Sequence, residues 1–123
     1  MMSIFSEFDP WVPLQSAYGA ELKGKGKLLR FQSALIDGAR FVGCLTYVFT
    51  EEGICVKPMR FLPFGLRRQA LFVPWNEIEI KKTDFWTTYP YEVHMKRTPR
   101  VDFRIRGRLG KTMLKYKLNS EKR

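Results

Sequence analysis

The longest apolar stretch of the chain covers residues 41–49 and ends in a polar turn. Residues 50–53 read Thr-Glu-Glu-Gly, and a second apolar stretch covers residues 54–59. Upstream, residues 28–36 form another extended apolar pattern, which ends at Asp37 and Gly38. An Asp-Gly pair is a strong signal for a two-residue hairpin turn. The pattern therefore predicts three consecutive antiparallel strands, at residues 28–36, 39–49 and 53–59.

The middle strand of these three carries apolar side chains on both faces. One face holds Phe41, Leu45, Tyr47 and Phe49, and the other holds Val42, Cys44 and Val48. A strand that is buried on both faces lies inside a sheet and is covered on two sides. We therefore expect residues 39–49 to form a central strand.

A short helix is predicted at residues 9–19, ahead of the strands. Asp9 can accept hydrogen bonds from the first helical N–H groups, and the proline that follows it suits the first helical position. Trp11, Leu14 and Tyr18 share one face at helical spacing, and Gly19 ends the pattern. We expect this helix to pack against the sheet.

Shorter apolar patterns continue the strand signal towards the C-terminus. They predict strands at residues 69–73, 77–81 and 92–96. The connector at residues 21–27 alternates Gly and Lys, but it lacks the Lys-Ser/Thr ending that a phosphate-binding P-loop needs. We interpret it as a solvated loop.

Residues 101–118 fit a further hairpin that has Leu109 and Gly110 at its turn. In that register three apolar pairs share one face: Val101 with Leu118, Phe103 with Tyr116, and Ile105 with Leu114. This agreement favours the hairpin, because a slip of one residue would move every side chain to the other face. A helix from Gly110 onward is the alternative, with Met113, Leu114, Lys117 and Leu118 on its apolar face. Residues 119–123 are predicted to be a flexible tail.

These elements predict a single domain over residues 1–123. The fold class is mainly β: an antiparallel barrel or sandwich of about seven strands with a short N-terminal helix. The strands form a β-meander over residues 28–118. A chain of this length buries roughly two-thirds of its unfolded surface, which is enough for one core.

The two cysteines are predicted to be separate thiols. If Thr50 faces Gly53 in the hairpin, Cys55 faces Val48 and Cys44 faces the residue at position 59. The two sulfur atoms are then about four residues out of register, at roughly 3.3 Å per residue, which is too far apart for a disulfide. With two cysteines and one histidine, a Cys/His zinc site is excluded.

The positive charge of the chain is concentrated near its C-terminus. The formal net charge is +10, and residues 96–123 hold 11 basic and 2 acidic side chains. On the predicted hairpin they form one basic face, for which we expect anion binding. The candidate residues are Arg97, Arg100, Arg104, Arg106, Arg108, Lys115 and Lys117. The alternative is a solvated face that only keeps the protein soluble.

Aromatic side chains in the irregular segments are candidate contacts for a partner or a membrane. They are Phe61, Phe64, Trp86 and Tyr89. Exposed rings of this kind suit a membrane interface, a protein partner or stacked bases. The alternative for the rings at residues 85–91 is that they pack over the open end of the barrel.

Catalysis is not expected from this sequence. His94 is the single histidine, and no Ser or Cys can be placed beside it. Glu77 and Glu79 share a strand face with a lysine, which is typical of a solvated surface. We therefore predict no enzymatic activity, no cofactor and no metal.

The expected location is the cytoplasm, with peripheral association at the inner membrane surface as an extension of that prediction. No run of 18 apolar residues is present, so no membrane-spanning helix is predicted. Residues 1–7 lack the basic and apolar regions of a signal peptide.

Residues 9–80 resemble bacterial pleckstrin-homology-like and GRAM-like domains. The resemblance depends on the N-terminal helix with Trp11 and Tyr18, the hairpin from Thr46 to residues 53–56, and the strand that ends at Val-Pro-Trp-Asn-Glu-Ile, residues 73–78. It implies a seven-stranded barrel or sandwich with a binding or scaffold role. Such barrels close with a C-terminal helix, and the hairpin predicted at residues 101–118 departs from that pattern.

Three classes of function remain open at this point. The first is a module that binds anionic lipid or another anionic ligand through the basic face. The second is nucleic-acid binding, for which no recognised motif is present. The third is a protein-interaction module or a homodimer that pairs through an exposed edge strand and needs no anionic ligand.

Overall fold

The computed structural model describes residues 10–20, 26–58, 69–83 and 86–122. Seven antiparallel strands form one nearly closed, barrel-like sheet with a helix at either end of the chain. The elements, in chain order, are α1 (Trp11–Tyr18), β1 (Lys27–Ile36), β2 (Ala39–Phe49), β3 (Gly53–Pro58), β4 (Leu71–Pro74), a 3-10 turn (Trp75–Glu77), β5 (Ile78–Lys82), β6 (Tyr91–Met95), β7 (Phe103–Ile105) and α2 (Gly107–Glu121). The predicted fold class is confirmed.

The sheet is built from two meanders that meet at β1. Its strand order is β4-β3-β2-β1-β7-β6-β5, so β7 returns to pair with the second half of β1. The two end strands of this order, β4 and β5, follow one another in the chain through the turn at Trp75–Glu77. The core fills the interior and contains large rings such as Trp11, Tyr47, Phe49 and Phe103.

Both hairpins predicted around β2 are confirmed. Ile36 pairs with Ala39, and Asp37 and Gly38 have φ values of 49° and 81°, as a two-residue hairpin turn requires. At the second turn Val48 pairs with Cys55 in the predicted register. The predicted partner of Cys44, at position 59, lies outside the described residues. Both cysteines are thiols.

The prediction that β2 is covered on both faces is wrong for the first half of the strand. Val42 is 62% exposed, although Val48 on the same predicted face is buried. Phe41 and Leu45 on the opposite face are buried, so this half of β2 is covered on one face and not on both. The ladder is also irregular here, since four steps of β2 lie opposite two steps of β1 between the pairs Gln32–Leu45 and Ala34–Phe41.

The N-terminal helix is confirmed at Trp11–Tyr18, with Trp11, Leu14 and Tyr18 buried as predicted. The indole of Trp11 donates a hydrogen bond to the Gln69 carbonyl at 2.8 Å, which joins α1 to the chain just before β4. Gly19 ends the helix and forms a bridge with β4. The predicted cap at Asp9 and most of the 21–27 connector lie outside the described residues.

The predicted hairpin at residues 101–118 is wrong. Phe103–Ile105 is a strand, but the chain then forms α2 from Gly107 to Glu121, so the predicted tail at 119–123 is also helical as far as Glu121. The physical reason is that β7 already pairs with β1 on one edge and with β6 on the other. No edge of β7 is left for a hairpin partner, so the helical alternative is correct.

Candidate anion-binding surface

Arg97, the first cation of the predicted face, is held by contacts within the protein. Its guanidinium forms a 2.9 Å ion pair with Glu77 and donates to the Ala17 carbonyl at 3.0 Å. The same group lies over the Tyr18 ring, 5.0 Å from its centroid. Tyr18 in turn donates a hydrogen bond to Glu77, and burial raises the pKa of its phenol. Arg97, in the loop after β6, therefore links α1 to the 3-10 turn that precedes β5.

Arg104 is also neutralised locally. Its guanidinium is 3.1 Å from Glu92 and 3.0 Å from Asp102. His94 shares Glu92 at 3.3 Å, so this outer face of β6 and β7 is a mixed-charge network. The register of the predicted hairpin would also place Arg104 opposite Lys115, where two like charges repel each other. This pairing is wrong, because Lys115 lies on α2.

Lys117 turns towards the barrel and not towards solvent. Its amino group donates to the Trp75 carbonyl at 2.6 Å and lies 3.4 Å from Glu121. Trp75 is an anchor of the core: it is buried, and its indole donates to the Thr50 carbonyl at 2.8 Å. The Trp75 ring stacks with the rings of Phe49 and Tyr116. Because Tyr116 lies on α2, these contacts pack the helix against the barrel.

Four other cations, three on the solvent face of α2 and one at its C-cap, form what we call the basic stripe. They are Arg108, Lys111, Lys115 and Lys122. Their spacing of three, four and seven residues places them within one arc of the helix, opposite the buried Met113. All four are exposed, and among the described residues none of them forms an ion pair. Leu118, 48% exposed, lies on the same arc.

The aromatic candidates near α2 divide into one exposed ring and one buried ring. Trp86 is 98% exposed, whereas Tyr89 is buried with its ring 5.7 Å from the Arg106 guanidinium. Packing against the barrel, the alternative interpretation, therefore describes Tyr89. Because Arg106 immediately precedes α2, this contact places Tyr89, three residues after Trp86, beside the start of the helix. Phe61 and Phe64 lie outside the described residues.

Arg100, the remaining predicted cation, lies in the exposed turn before β7. Two cations of the basic stripe, Lys111 and Lys122, are not among the candidates predicted from the sequence, and Lys122 falls in the predicted flexible tail. The signal that could have found both was the helical spacing of positions 108, 111, 115 and 122, which is invisible while the segment is interpreted as strands.

Two clefts border α2. One, of about 400 Å³, lies between β5, β6 and the helix and is lined by residues that include Glu79, His94 and Lys117. The other, of about 240 Å³, lies between the last turns of α2 and the start of β1. Among the described residues no group of three His, Cys, Asp or Glu side chains is placed to hold a metal ion.

Comparison of the chain with known protein families and with curated proteins finds no match. Within the described part of the chain, no helix has the length and apolar character needed to cross a bilayer. The geometry of the basic stripe and of Trp86 is therefore the basis for a functional proposal.

Proposed function

We propose that this protein is a non-catalytic binding domain of the pleckstrin-homology-like type that docks onto anionic phospholipid surfaces through the basic stripe. The observation that carries the proposal is the exposure of four cations on one face of α2, without an ion pair among the described residues. Trp86 supplies an exposed apolar anchor in the loop whose Tyr89 contacts Arg106, the residue before α2. Tryptophan suits the headgroup region, since one side of its ring is apolar and its N–H is polar.

The architecture supports the class of domain. Four antiparallel strands are followed by three, and a C-terminal helix packs its one ring, Tyr116, against Phe49 and Trp75 of the barrel. The resemblance drawn from residues 9–80 implies a barrel that closes with such a helix. The departure noted in the sequence, a hairpin at residues 101–118, does not occur in the fold.

The stripe by itself gives weak binding. Each basic residue near an anionic membrane contributes roughly 1 kcal/mol, so four of them give a dissociation constant on the order of 1 mM. Insertion of the Trp86 ring adds to this, and so does the exposed Leu118. We therefore expect reversible, salt-sensitive association and not permanent anchoring.

Nucleic-acid binding is the second candidate, and one observation favours it: the stripe could follow phosphates while Trp86 stacks on a base. A lipid surface is preferred because both apolar side chains near the stripe, Trp86 and Leu118, find an apolar medium there. The same experiment separates the two.

The test is co-sedimentation with vesicles of phosphatidylcholine alone or mixed with phosphatidylserine, over a series of salt concentrations. We expect binding to the anionic vesicles that weakens with salt and is lost in Lys111→Glu/Lys115→Glu. The matched control is Arg40→Glu/Lys81→Glu, which makes the same change in charge at two exposed cations away from α2. A short single-stranded oligonucleotide is added as competitor.

Equal binding of the stripe variant and the control would contradict a specific role for α2. Release of the protein by the oligonucleotide at low concentration would favour nucleic acid over lipid. Absence of binding to anionic vesicles at low salt would overturn the proposal.

A further inference from the structure

The first half of β1 has one strand neighbour, although β1 lies in the middle of the sheet order. β2 pairs along the whole length of β1, whereas β7 pairs with Ala34, Leu35 and Ile36 alone. The chain leaves β7 after Ile105 and turns into α2 at Gly107, so it cannot continue along β1. Among the described strands, none lies beside the other edge of residues 27–31, which we call the free edge.

The free edge displays large apolar side chains. Phe31 is 66% exposed and Leu28 is 45% exposed, so two of the first five residues of β1 present apolar surface to water. Isolated apolar residues on a surface are common, but an aromatic residue on an unpaired strand edge is what proteins normally avoid. Edge strands of natural proteins are commonly protected by charged side chains. On the free edge, Phe31 is exposed beside such side chains.

The backbone at Phe31 is strained. Its φ of 57° lies in the left-handed region, which costs of order 1 kcal/mol for a bulky residue. The residue sits in an irregularity of the ladder, between the pairs Leu29–Tyr47 and Gln32–Leu45. Burial in the core does not offset this strain, because the ring points into solvent. A partner that covers the ring would offset it.

The backbone of the free edge is available for pairing. The Arg30 carbonyl accepts a hydrogen bond at 2.9 Å from the side chain of Gln32, its own neighbour along the strand. Such a local side-chain bond takes the place of a strand partner and is readily exchanged for one. Added strands gain most of their affinity from main-chain hydrogen bonds of this kind.

A cleft lies where an added strand would begin. Gly26 and Lys27 line the 240 Å³ cleft together with Tyr116, Asn119 and Ser120 of α2. The space between the start of β1 and the last turns of the helix is therefore open. The cleft is also lined by Phe49, Thr50, Glu51 and Trp75, so it lies at the end of the barrel where β1 begins, and an added strand would start beside it.

Charge decides which segment fits. Lys27 and Arg30 are exposed on the free edge, and β1 carries no acidic residue. A second copy of the chain would bring the same two cations against them, which is unfavourable across a ladder. An acidic segment would be attracted, and its apolar side chains could cover Leu28 and Phe31.

We infer that residues 27–31 form a docking site for an extended segment of a partner protein, rich in acidic and apolar residues, which adds to the barrel as a strand beside β1. This site is separate from the basic stripe, and it does not depend on membrane binding.

The test is a titration of the isotope-labelled protein with a synthetic peptide of about eight alternating Glu and Val residues with blocked ends, a typical strand length. We expect saturable shifts of the amide signals of residues 26–32, together with slower hydrogen exchange there. A Lys/Val peptide should bind at least about tenfold more weakly. The Glu/Val peptide N-methylated at alternate amides should fail to bind, since its pairing edge is blocked.

Protein variants make the test specific. Phe31→Gly and Arg30→Glu should each weaken peptide binding about fivefold or more, which corresponds to the loss of one good contact. Val42→Ser, which removes an equally exposed apolar side chain from β2, is the matched control and should bind like the parent protein. The stripe variant Lys111→Glu/Lys115→Glu should also retain peptide binding, so a failure of the lipid proposal and a failure of this one give different results.

Three outcomes would overturn the inference. The first is the absence of shifts at residues 26–32 at peptide concentrations up to about 1 mM. The second is binding to phosphatidylserine vesicles that Phe31→Gly abolishes, which would make the free edge a lipid contact. The third is a concentration-dependent dimer of the protein that Phe31→Gly abolishes, which would make the occupant a second copy.

Discussion

The cations near the C-terminus fall into two groups that differ in what surrounds them. Arg97, Arg104 and Lys117 are held by carboxylates or by backbone carbonyls. The four cations of the basic stripe point to solvent from one face of α2. The two groups are interleaved along the chain, so their different surroundings arise from the side of each element that they occupy. Local net charge therefore measures how many cations exist, and orientation decides which of them can meet a partner.

The largest effect is expected on the free energy of unfolding, when the packing of α2 against the barrel is disturbed. This helix carries cations of both groups. A Cβ atom on Gly110 would collide with the ring of Tyr91. Gly110→Ala should lower the free energy of unfolding by about 2–3 kcal/mol, as overpacking does, and this would be measured by urea denaturation. Gly107→Ala is the matched control, because its Cβ would meet only Pro90, at 3.9 Å. Equal stability of the two variants would show that Gly110 of α2 does not pack against the Tyr91 ring.

The next effect concerns the basic stripe alone. Lys111→Glu/Lys115→Glu should weaken binding to phosphatidylserine vesicles by at least about tenfold. Its free energy of unfolding should change by less than about 0.5 kcal/mol, because exposed side chains without partners contribute little to stability. Vesicle sedimentation and urea denaturation on the same samples measure both. A stripe variant that lost stability and binding together would not separate the two groups.

The opposite result is expected for a cation held within the fold. Arg97→Ala should lower the free energy of unfolding by about 1–2 kcal/mol, since it removes hydrogen bonds to Glu77 and Ala17 and the contact with Tyr18. Its vesicle binding should stay within about twofold of the parent protein. Arg100→Ala, at an exposed turn position three residues away, is the control and should leave stability unchanged. Strong loss of vesicle binding in Arg97→Ala would place this residue in the docking surface after all.

The smallest effect concerns the strained residue of β1. Phe31→Gly should raise the free energy of unfolding by about 0.5–1 kcal/mol, because glycine adopts a positive φ without the steric penalty. Phe31→Ala removes the same ring but keeps a Cβ, so it should gain less. Thermal denaturation of the two variants isolates the backbone contribution. A loss of stability in both would mean that the exposed ring supports the fold itself.

Local signals in the sequence predicted most of the first half of the fold. The turns at Asp37 and Gly38 and at Thr50 and Gly53 set the registers of β1, β2 and β3, because a short turn leaves few ways to align two strands. The helical spacing of Trp11, Leu14 and Tyr18 was likewise sufficient to predict α1 and its buried face. These elements depend on residues close together in the chain.

The prediction for the C-terminal segment was wrong because its structure depends on residues far apart in the chain. Residues 101–118 satisfy a strand pattern and a helix pattern at once, and local spacing does not choose between them. The segment after β7 forms a helix because β1 and β6 occupy both edges of β7, which leaves no edge for a further strand. The basic stripe followed from that choice, since positions 108, 111, 115 and 122 share a face only in a helix.

By itself, the sequence determined the strand registers next to the two turns that flank β2, the short N-terminal helix and the excess of cations in its last 28 residues. Turn chemistry, helical spacing and composition are local properties, so one chain is enough to decide them. The tertiary structure alone decided that α2 is a helix, which cations are held by contacts within the protein, and that the first half of β1 has β2 as its one neighbour among the described strands. Each of these depends on strands far apart in the chain that compete for the same edges, and that competition is settled only when the barrel forms.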